Sequence, residues 1–98
     1  EVEGIDFPLV GPNDLSASMG HLGDTKHPEV RALCEEVVRI CKEMGRPFGV
    51  SLGAGDREAI EYWLDKGVSF MECGDDISYI SAGCRATMEF VNGLMERK

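Results

Sequence analysis

Basic residues are scarce in this chain. Ten Lys and Arg stand against 18 Asp and Glu, a formal net charge of −8 over 98 residues. Phosphate binding needs a basic face, so nucleic-acid partners are excluded, and an anionic membrane surface is disfavoured on the same ground. The acidic residues Glu35, Glu36, Glu43, Glu58, Glu61 and Glu72 are interspersed with Lys and Arg, a pattern of solvated helix faces. No apolar run approaches the ~18 residues of a membrane span, and the first residues do not read as a secretory signal. Cysteine occurs at positions 34, 41, 73 and 84 without a Cys-x-x-Cys pair, so a structural zinc site is not expected. Cys34 and Cys41 share a helix face but are separated by ~10 Å of rise, too far for a disulfide. Reduced, buried thiols in a cytoplasmic protein are the expectation. Ser16 and Ser18 lie in no Gly-x-Ser-x-Gly context, so no serine nucleophile is expected. His21 and His27 show no second His or carboxylate at metal-ligand spacing. Neither is expected to be catalytic: His27, before Pro28, should shape the start of a helix, and His21 should be a surface-loop residue. An initial Met is also missing. The chain opens at Glu1 on what reads as the run-in to a strand, which suggests a fragment of a longer domain.

What is present is a strand-helix pattern repeated three times. The first strand is expected over Asp6 to Val10, followed by a loop through Gly20 and Gly23 that contains a short helical segment, Leu15 to Met19. A helix then begins at Pro28, a residue suited to the first helical position. Val30, Leu33, Cys34, Val37, Val38, Cys41 and Met44 form one apolar stripe at three- and four-residue steps, and Gly45 terminates it. The second strand is expected over Pro47 to Leu52. A helix capped by Asp56 then turns Ala59, Ile60, Trp63 and Leu64 inward and stops at Gly67. The third strand is expected over Val68 to Cys73. A last helical stretch aligns Ile77, Ile80, Cys84, Met88, Val91 and Met95, with Gly83 as a candidate break.

Alternating strands and helices imply parallel pairing with right-handed crossovers. Eight such units would make about 250 residues, the size of a (β/α)8 barrel. Three strands alone would leave two open edges and one poorly covered face. The expected fold is therefore α/β, the C-terminal three β/α units of a (β/α)8 TIM barrel, with residues 1–98 forming the C-terminal part of a single barrel domain. A small open α/β sheet is the competing fold.

All three strand-to-helix turns are polar: Gly11-Pro12-Asn13-Asp14, Ser51 to Asp56, and Gly74-Asp75-Asp76. In a parallel sheet they share the C-terminal edge, where barrel enzymes place their sites. The opposite turns, Met44-Gly45-Arg46 and Lys66-Gly67, are short and plain. Asp14 has two readings. It is a capping or Asx-turn residue ahead of Leu15, or a ligand for a hard divalent cation such as Mg²⁺ or Mn²⁺, which takes oxygen ligands and often only one or two protein carboxylates. In the second reading the amides of Asn13 and Asp14 can hold a substrate carboxylate.

The run Gly11-Pro12-Asn13-Asp14-Leu15-Ser16-Ala17-Ser18-Met19-Gly20, followed by Gly23 and His27-Pro28-Glu29-Val30, resembles the metal-dependent pyruvate aldolases of the HpcH/HpaI group. Among these are 4-hydroxy-2-oxoheptanedioate and 2-dehydro-3-deoxyglucarate aldolases, with citrate lyase β-subunits more distant. The similarity continues through Gly45-Arg46-Pro47-Phe48-Gly49 and Gly67-Val68-Ser69-Phe70 and covers nearly the whole chain. The resemblance implies a (β/α)8 barrel that cleaves 4-hydroxy-2-oxo acids reversibly into pyruvate and an aldehyde. It implies that Asp14 is a metal ligand, with Mg²⁺ or Mn²⁺ the expected ion and other divalent ions possible. It further implies a substrate site of Gly11, Pro12, Asn13, Asp14 and Ser51, where Ser51 stands at an aldehyde-pocket position often occupied by Leu in the family. It also implies a homo-oligomer assembled through the C-terminal helix, Ile77 to Lys98. A divalent ion held by the keto acid would act as a Lewis acid on the ketone oxygen, and a base must move the C4 hydroxyl proton. The family supplies that base as a His, with an Arg at the ketone oxygen and a second metal carboxylate from a Glu, all in the earlier half of the barrel. No catalytic residue is therefore assigned here, and the 98 residues alone are expected to be inactive. A non-catalytic half-barrel fragment and a small open-sheet α/β binding module are the alternatives.

Overall fold

The computed structural model describes residues 2–97; Glu1 and Lys98, at the ends of the expected first and last segments, lie outside the described residues. The elements run β1 (Leu9–Val10), α1 (Pro12–Ser18), α2 (Pro28–Glu43), β2 (Gly49–Leu52), α3 (Arg57–Asp65), β3 (Phe70–Cys73) and α4 (Asp76–Glu96). The strands form one parallel sheet in the order β1-β2-β3. Leu9 pairs with Gly49 and Val10 with Val50, while Gly49 to Leu52 pair with Phe70 to Cys73 in register. The fold is α/β with a parallel sheet, in the strand-helix order that the hydrophobic pattern implies.

Each helix begins where a side chain or a proline favours it. His27 caps α2: its Nδ1 accepts the Glu29 amide at 3.2 Å, and Pro28 takes the first helical position. Asp56 caps α3 by accepting the Ala59 amide at 3.1 Å. Asp75 and Ser78 form a reciprocal capping box at the start of α4, which satisfies two donors that a helix N-terminus otherwise leaves unpaired. α2 ends at Glu43, and Gly45 follows at φ +64°, the left-handed conformation that closes a helix.

The core is the seam between the sheet and its two crossover helices. Val30, Cys34, Val38 and Cys41 of α2 and Trp63 of α3 pack against Val10, Phe48, Val50 and Leu52. Val30 and Val50 are fully buried. The opposite sheet face is bare. Leu9 is 48% and Phe70 52% exposed, and the Phe7 and Phe70 rings lie 5.9 Å apart in the open. Gly49 sits between Leu9 and Phe70 because there is no room for more: a Cβ there would stand 2.8 Å from Leu9 Cδ1 and 3.2 Å from the Phe70 carbonyl.

Several expectations are corrected. β1 is two residues rather than Asp6 to Val10, because only Leu9 and Val10 find partners on β2. β2 and β3 each start two residues later than expected. The first short helix begins at Pro12 and ends at Ser18, earlier than Leu15 to Met19. Gly83 does not break the last helix; α4 runs unbroken through it, since one interior glycine costs only about 1 kcal/mol. Most consequential, α4 buries none of its described residues. Its apolar face, with Ile77 and Ile80 at 75% and 67% exposure, has no cover. Cys84 on that helix is exposed and Cys73 half-buried, so only Cys34 and Cys41 match the expectation of buried thiols.

Candidate active site

The three polar turns meet at the C-terminal edge of the sheet. They enclose an open cleft of about 390 Å³ lined by Leu9, Gly11, Asn13, Asp14, Ser51, Leu52, Gly53 and Asp75. Close approach of two of these turns depends on Gly74. It sits at φ +117°, and a Cβ there would stand 2.8 Å from Ala54 Cβ.

Asp14 is not the cap of α1. Gly11 occupies that position, with no side-chain cap hydrogen bond, and Asp14 is the third helical residue. Its carboxylate leans back toward the start of the helix, so that a Cβ on Gly11 would lie 3.4 Å from Asp14 Oδ2. The side chain is exposed on the cleft, and among the described residues it is engaged by no hydrogen bond or ion pair. Asp75 across the cleft is committed differently. Its Oδ1 accepts the Ser78 amide at 2.6 Å, and this bond, with the Ser78 hydroxyl, holds its carboxyl below the ordinary aspartate range. Asp14 is thus the uncommitted carboxylate and Asp75 the structural one.

The other expected site residues fall around the same point. Pro12 is buried at the first helical position. The Asn13 carbonyl accepts the hydroxyl of fully buried Ser16 at 2.7 Å, which ties down the first turn. The amides of Asn13 and Asp14 belong to that turn, where N–H groups have no intrahelical partner. Ser51, half-buried, and Asn13 line both the cleft and a smaller cavity of about 60 Å³ behind it, reached by Thr25, Arg31, Asp56, Tyr62 and Trp63. That rear wall is stiffened by polar contacts between α2 and α3. The Tyr62 hydroxyl donates to Glu35 Oε1 at 2.6 Å, Lys66 Nζ lies 2.7 Å from the same oxygen, and the Arg31 guanidinium stands 3.8 Å from the Tyr62 ring centroid. Bonds from Lys66 and Tyr62 hold the Glu35 carboxyl below its ordinary range, while burial pushes the Tyr62 phenol up. The polar side chains lining the cleft are the carboxylates of Asp14 and Asp75, the Ser51 hydroxyl and the Asn13 amide, a set that offers hard oxygens and no thiolate and so fits Mg²⁺ or Mn²⁺ better than a thiophilic ion.

One juxtaposition is not visible in the sequence. His21 and His27 do have a carboxylate within ligand distance: their rings stack and His21 Nε2 lies 2.9 Å from Glu29 Oε2. The three residues are brought together by the fold of the loop, which linear spacing did not reveal.

This geometry, with an acidic Gly-Pro-Asn-Asp turn at the strand ends, can be set against known proteins. The sequence pattern of the HpcH/HpaI aldolase/citrate lyase family matches residues 1–82. The chain belongs to this family. The 5-keto-4-deoxy-D-glucarate aldolase of Salmonella arizonae is 38% identical over 81 residues, which make up 83% of this chain and 31% of that protein. The 4-hydroxy-2-oxo-heptane-1,7-dioate aldolase of Klebsiella pneumoniae is 37% identical over 86 residues, 88% of this chain and 32% of that protein. The crystal structure of an HpcH/HpaI aldolase/citrate lyase family protein from Burkholderia cenocepacia is similar with a TM-score of 0.80 and 33% identity, covering 92% of this chain and 34% of that one. The chain therefore spans about a third of the length of these relatives. Among the described residues no helix is long and apolar enough to cross a membrane.

Proposed function

We propose that residues 1–98 are the C-terminal three β/α units of a (β/α)8 barrel lyase that cleaves a 4-hydroxy-2-oxo acid to pyruvate and an aldehyde. The bare sheet face supports the barrel: Leu9 and Phe70 stand exposed on the side away from the helices and would fill a barrel interior. The observation that carries the site assignment is the free carboxylate of Asp14 on the cleft where all three strand-end turns converge. In this reading Asp14 holds a divalent cation, Mg²⁺ or Mn²⁺, which when bound supplies Lewis-acid polarisation of the ketone oxygen. The Gly11-Pro12-Asn13-Asp14 backbone turns its first-turn amides toward the pyruvate carboxylate. Ser51 offers a hydroxyl to the aldehyde half, where it can pair with a polar substituent that an aliphatic side chain would leave unpartnered.

The proton-transferring base, the Arg at the ketone oxygen and a second metal carboxylate come, in this reading, from elsewhere in the full-length protein, so the 98 residues do not turn over substrate by themselves. The uncovered apolar face of α4 supports assembly into a homo-oligomer through that helix. A cytoplasmic location belongs to the same reading.

The test is an aldol assay of the full-length protein with Mg²⁺ or Mn²⁺, pyruvate and short aldehydes, together with metal binding by calorimetry. Asp14→Asn should lower turnover and metal affinity by more than the ~10–100-fold expected for loss of an outer-shell partner. Because the carboxylate holds no cap or ion pair among the described residues, the fold should survive the change. Unchanged turnover and affinity would show that Asp14 is not a ligand.

A further inference from the structure

Away from the cleft, the loop between α1 and α2 folds back on itself and carries His21 to the first turn of α2. The His21 amide donates to the Ser16 carbonyl at 2.8 Å, the Asp24 amide to the His21 carbonyl at 2.9 Å, and the His27 amide to the Asp24 carbonyl at 3.2 Å. Gly20 and Gly23, both at φ +79°, make the reversals. The His21 and His27 rings stack with centroids 3.4 Å apart and planes 14° apart. His21 Nε2 lies 2.9 Å from Glu29 Oε2. One ligand atom from each of His21, His27 and Glu29 lies within 4.8 Å of the other two.

We propose that His21, His27 and Glu29 form a second metal site, separate from Asp14, that takes a borderline divalent transition ion such as Zn²⁺, Ni²⁺ or Cu²⁺. Two imidazoles and a carboxylate suit these ions, whereas Mg²⁺ prefers oxygen ligands throughout. Both histidines are half-buried and Glu29 is exposed, so an ion reaches the site directly from solvent. The net charge of −8 raises the local cation concentration.

Two features limit the affinity. Imidazole lone pairs lie in the ring plane, so two nearly parallel rings cannot both address one ion until one of them turns. His27 Nδ1 also accepts the Glu29 amide at 3.2 Å. Coordination through Nδ1 replaces that bond, and coordination through Nε2 moves the ring proton to Nδ1, which then no longer accepts. The site therefore binds as a surface chelate that fastens the loop to α2, more weakly than a structural zinc centre.

The experiment uses the full-length protein with excess Mg²⁺ present to fill the oxygen site. Cu²⁺ is titrated in and followed by calorimetry and by nitrogen hyperfine splitting in the EPR spectrum. The expected result is one equivalent with nitrogen ligation, bound at least tenfold more weakly by His21→Gln and by His27→Asn. Asparagine keeps a capping acceptor at the start of α2, so the second variant removes the imidazole without removing the cap. Affinity and splitting unchanged in both variants, or displacement of Cu²⁺ by Mg²⁺, would overturn the proposal. Neither readout depends on aldol turnover, so failure here is distinguishable from failure of the Asp14 assignment.

Discussion

Gly74 holds the cleft together, and replacing it by alanine tests the packing of the strand-end turns. Two separate penalties apply at this position. The backbone sits at φ +117°, a region that costs a residue with a Cβ about 1–3 kcal/mol. The new methyl would also stand 2.8 Å from Ala54 Cβ, 3.0 Å from Ser78 Oγ and 3.1 Å from Ala54 Cα, and overpacking of this kind costs a further ~1–3 kcal/mol. Gly74→Ala should therefore destabilise by about 2–6 kcal/mol. Gly20 is the control. It has φ +79°, but a methyl there would meet nothing within 4 Å, so Gly20→Ala should lose only the backbone part, about 1–2 kcal/mol. Urea unfolding of the full-length protein, followed by far-UV circular dichroism, gives both values. Adding Ala54→Gly to Gly74→Ala removes one of the colliding groups, and a double-mutant cycle should show a coupling of about 0.5–3 kcal/mol. Equal costs at positions 74 and 20, with no coupling to position 54, would refute the account of how the two turns pack. Gly74 also precedes Asp75 on the cleft wall, so Gly74→Ala should weaken ligand binding in the full-length protein even where the fold persists.

Trp63→Ala should cost about 3–5 kcal/mol, because the indole is 3% exposed in the sheet-helix seam. The adjacent Leu64→Ala, at a position 59% exposed, should stay within about 0.5 kcal/mol in the same unfolding assay. With the subunits separated, alkylation at pH 8 read by peptide mass spectrometry should label Cys84 first, since nothing in this chain covers it. Cys34, whose thiol is pushed up by burial, should react only on unfolding; rapid labelling of Cys34 would contradict the core assignment. The Asp75 carboxyl lies below its unfolded value, so its contribution to α4 is present above that unfolded value and is lost as pH falls through the lower, folded one. Ser78→Ala removes the hydroxyl but keeps the amide donor, so the Asp75 titration followed by carbon NMR should move part of the way up toward the ordinary range. An unmoved titration would show that the capping box does not set it.

Helices with intrinsic start signals are legible in the sequence. Pro28 and Asp56 mark their own positions because proline fits the first helical turn and a carboxylate can accept its amides. The stripe from Val30 to Cys41 names its buried face because the helical period permits only one. Strand ends are less legible. Asp6 and Phe7 have suitable neighbours in sequence, but a strand exists only where another strand meets it, and β2 reaches just Leu9 and Val10. The same limit applies at the site. Gly11 to Asp14 and Ser51 each sit in a visible polar turn, yet Asp14 alone admits both a capping and a ligand reading. The capping reading fails because Gly11 takes the cap position, with no side-chain hydrogen bond; the ligand reading stays a proposal. The His21, His27 and Glu29 cluster is invisible in the sequence for a related reason: its spacing is irregular, and two glycine reversals decide that the rings meet.

α4 carries this reasoning furthest. Its residue pattern identifies an apolar face, and its capping box gives it a firm start. Neither says what covers that face. Among the described residues nothing does: the molecule extends 63 Å along its longest axis against 26 and 22 Å across, and a helix of 21 residues accounts for about 30 Å of such a length. An uncovered stripe holding Ile77, Ile80, Met88 and Met95 is the surface a soluble chain buries against other protein. The bare sheet face with Leu9 and Phe70 makes the same demand at the other end of the body. One surface is a face of the parallel sheet and the other the outside of a projecting helix, so a single covering element does not serve both. The two demands are met separately if the sheet face is closed by the rest of the same barrel and the helix by a second subunit.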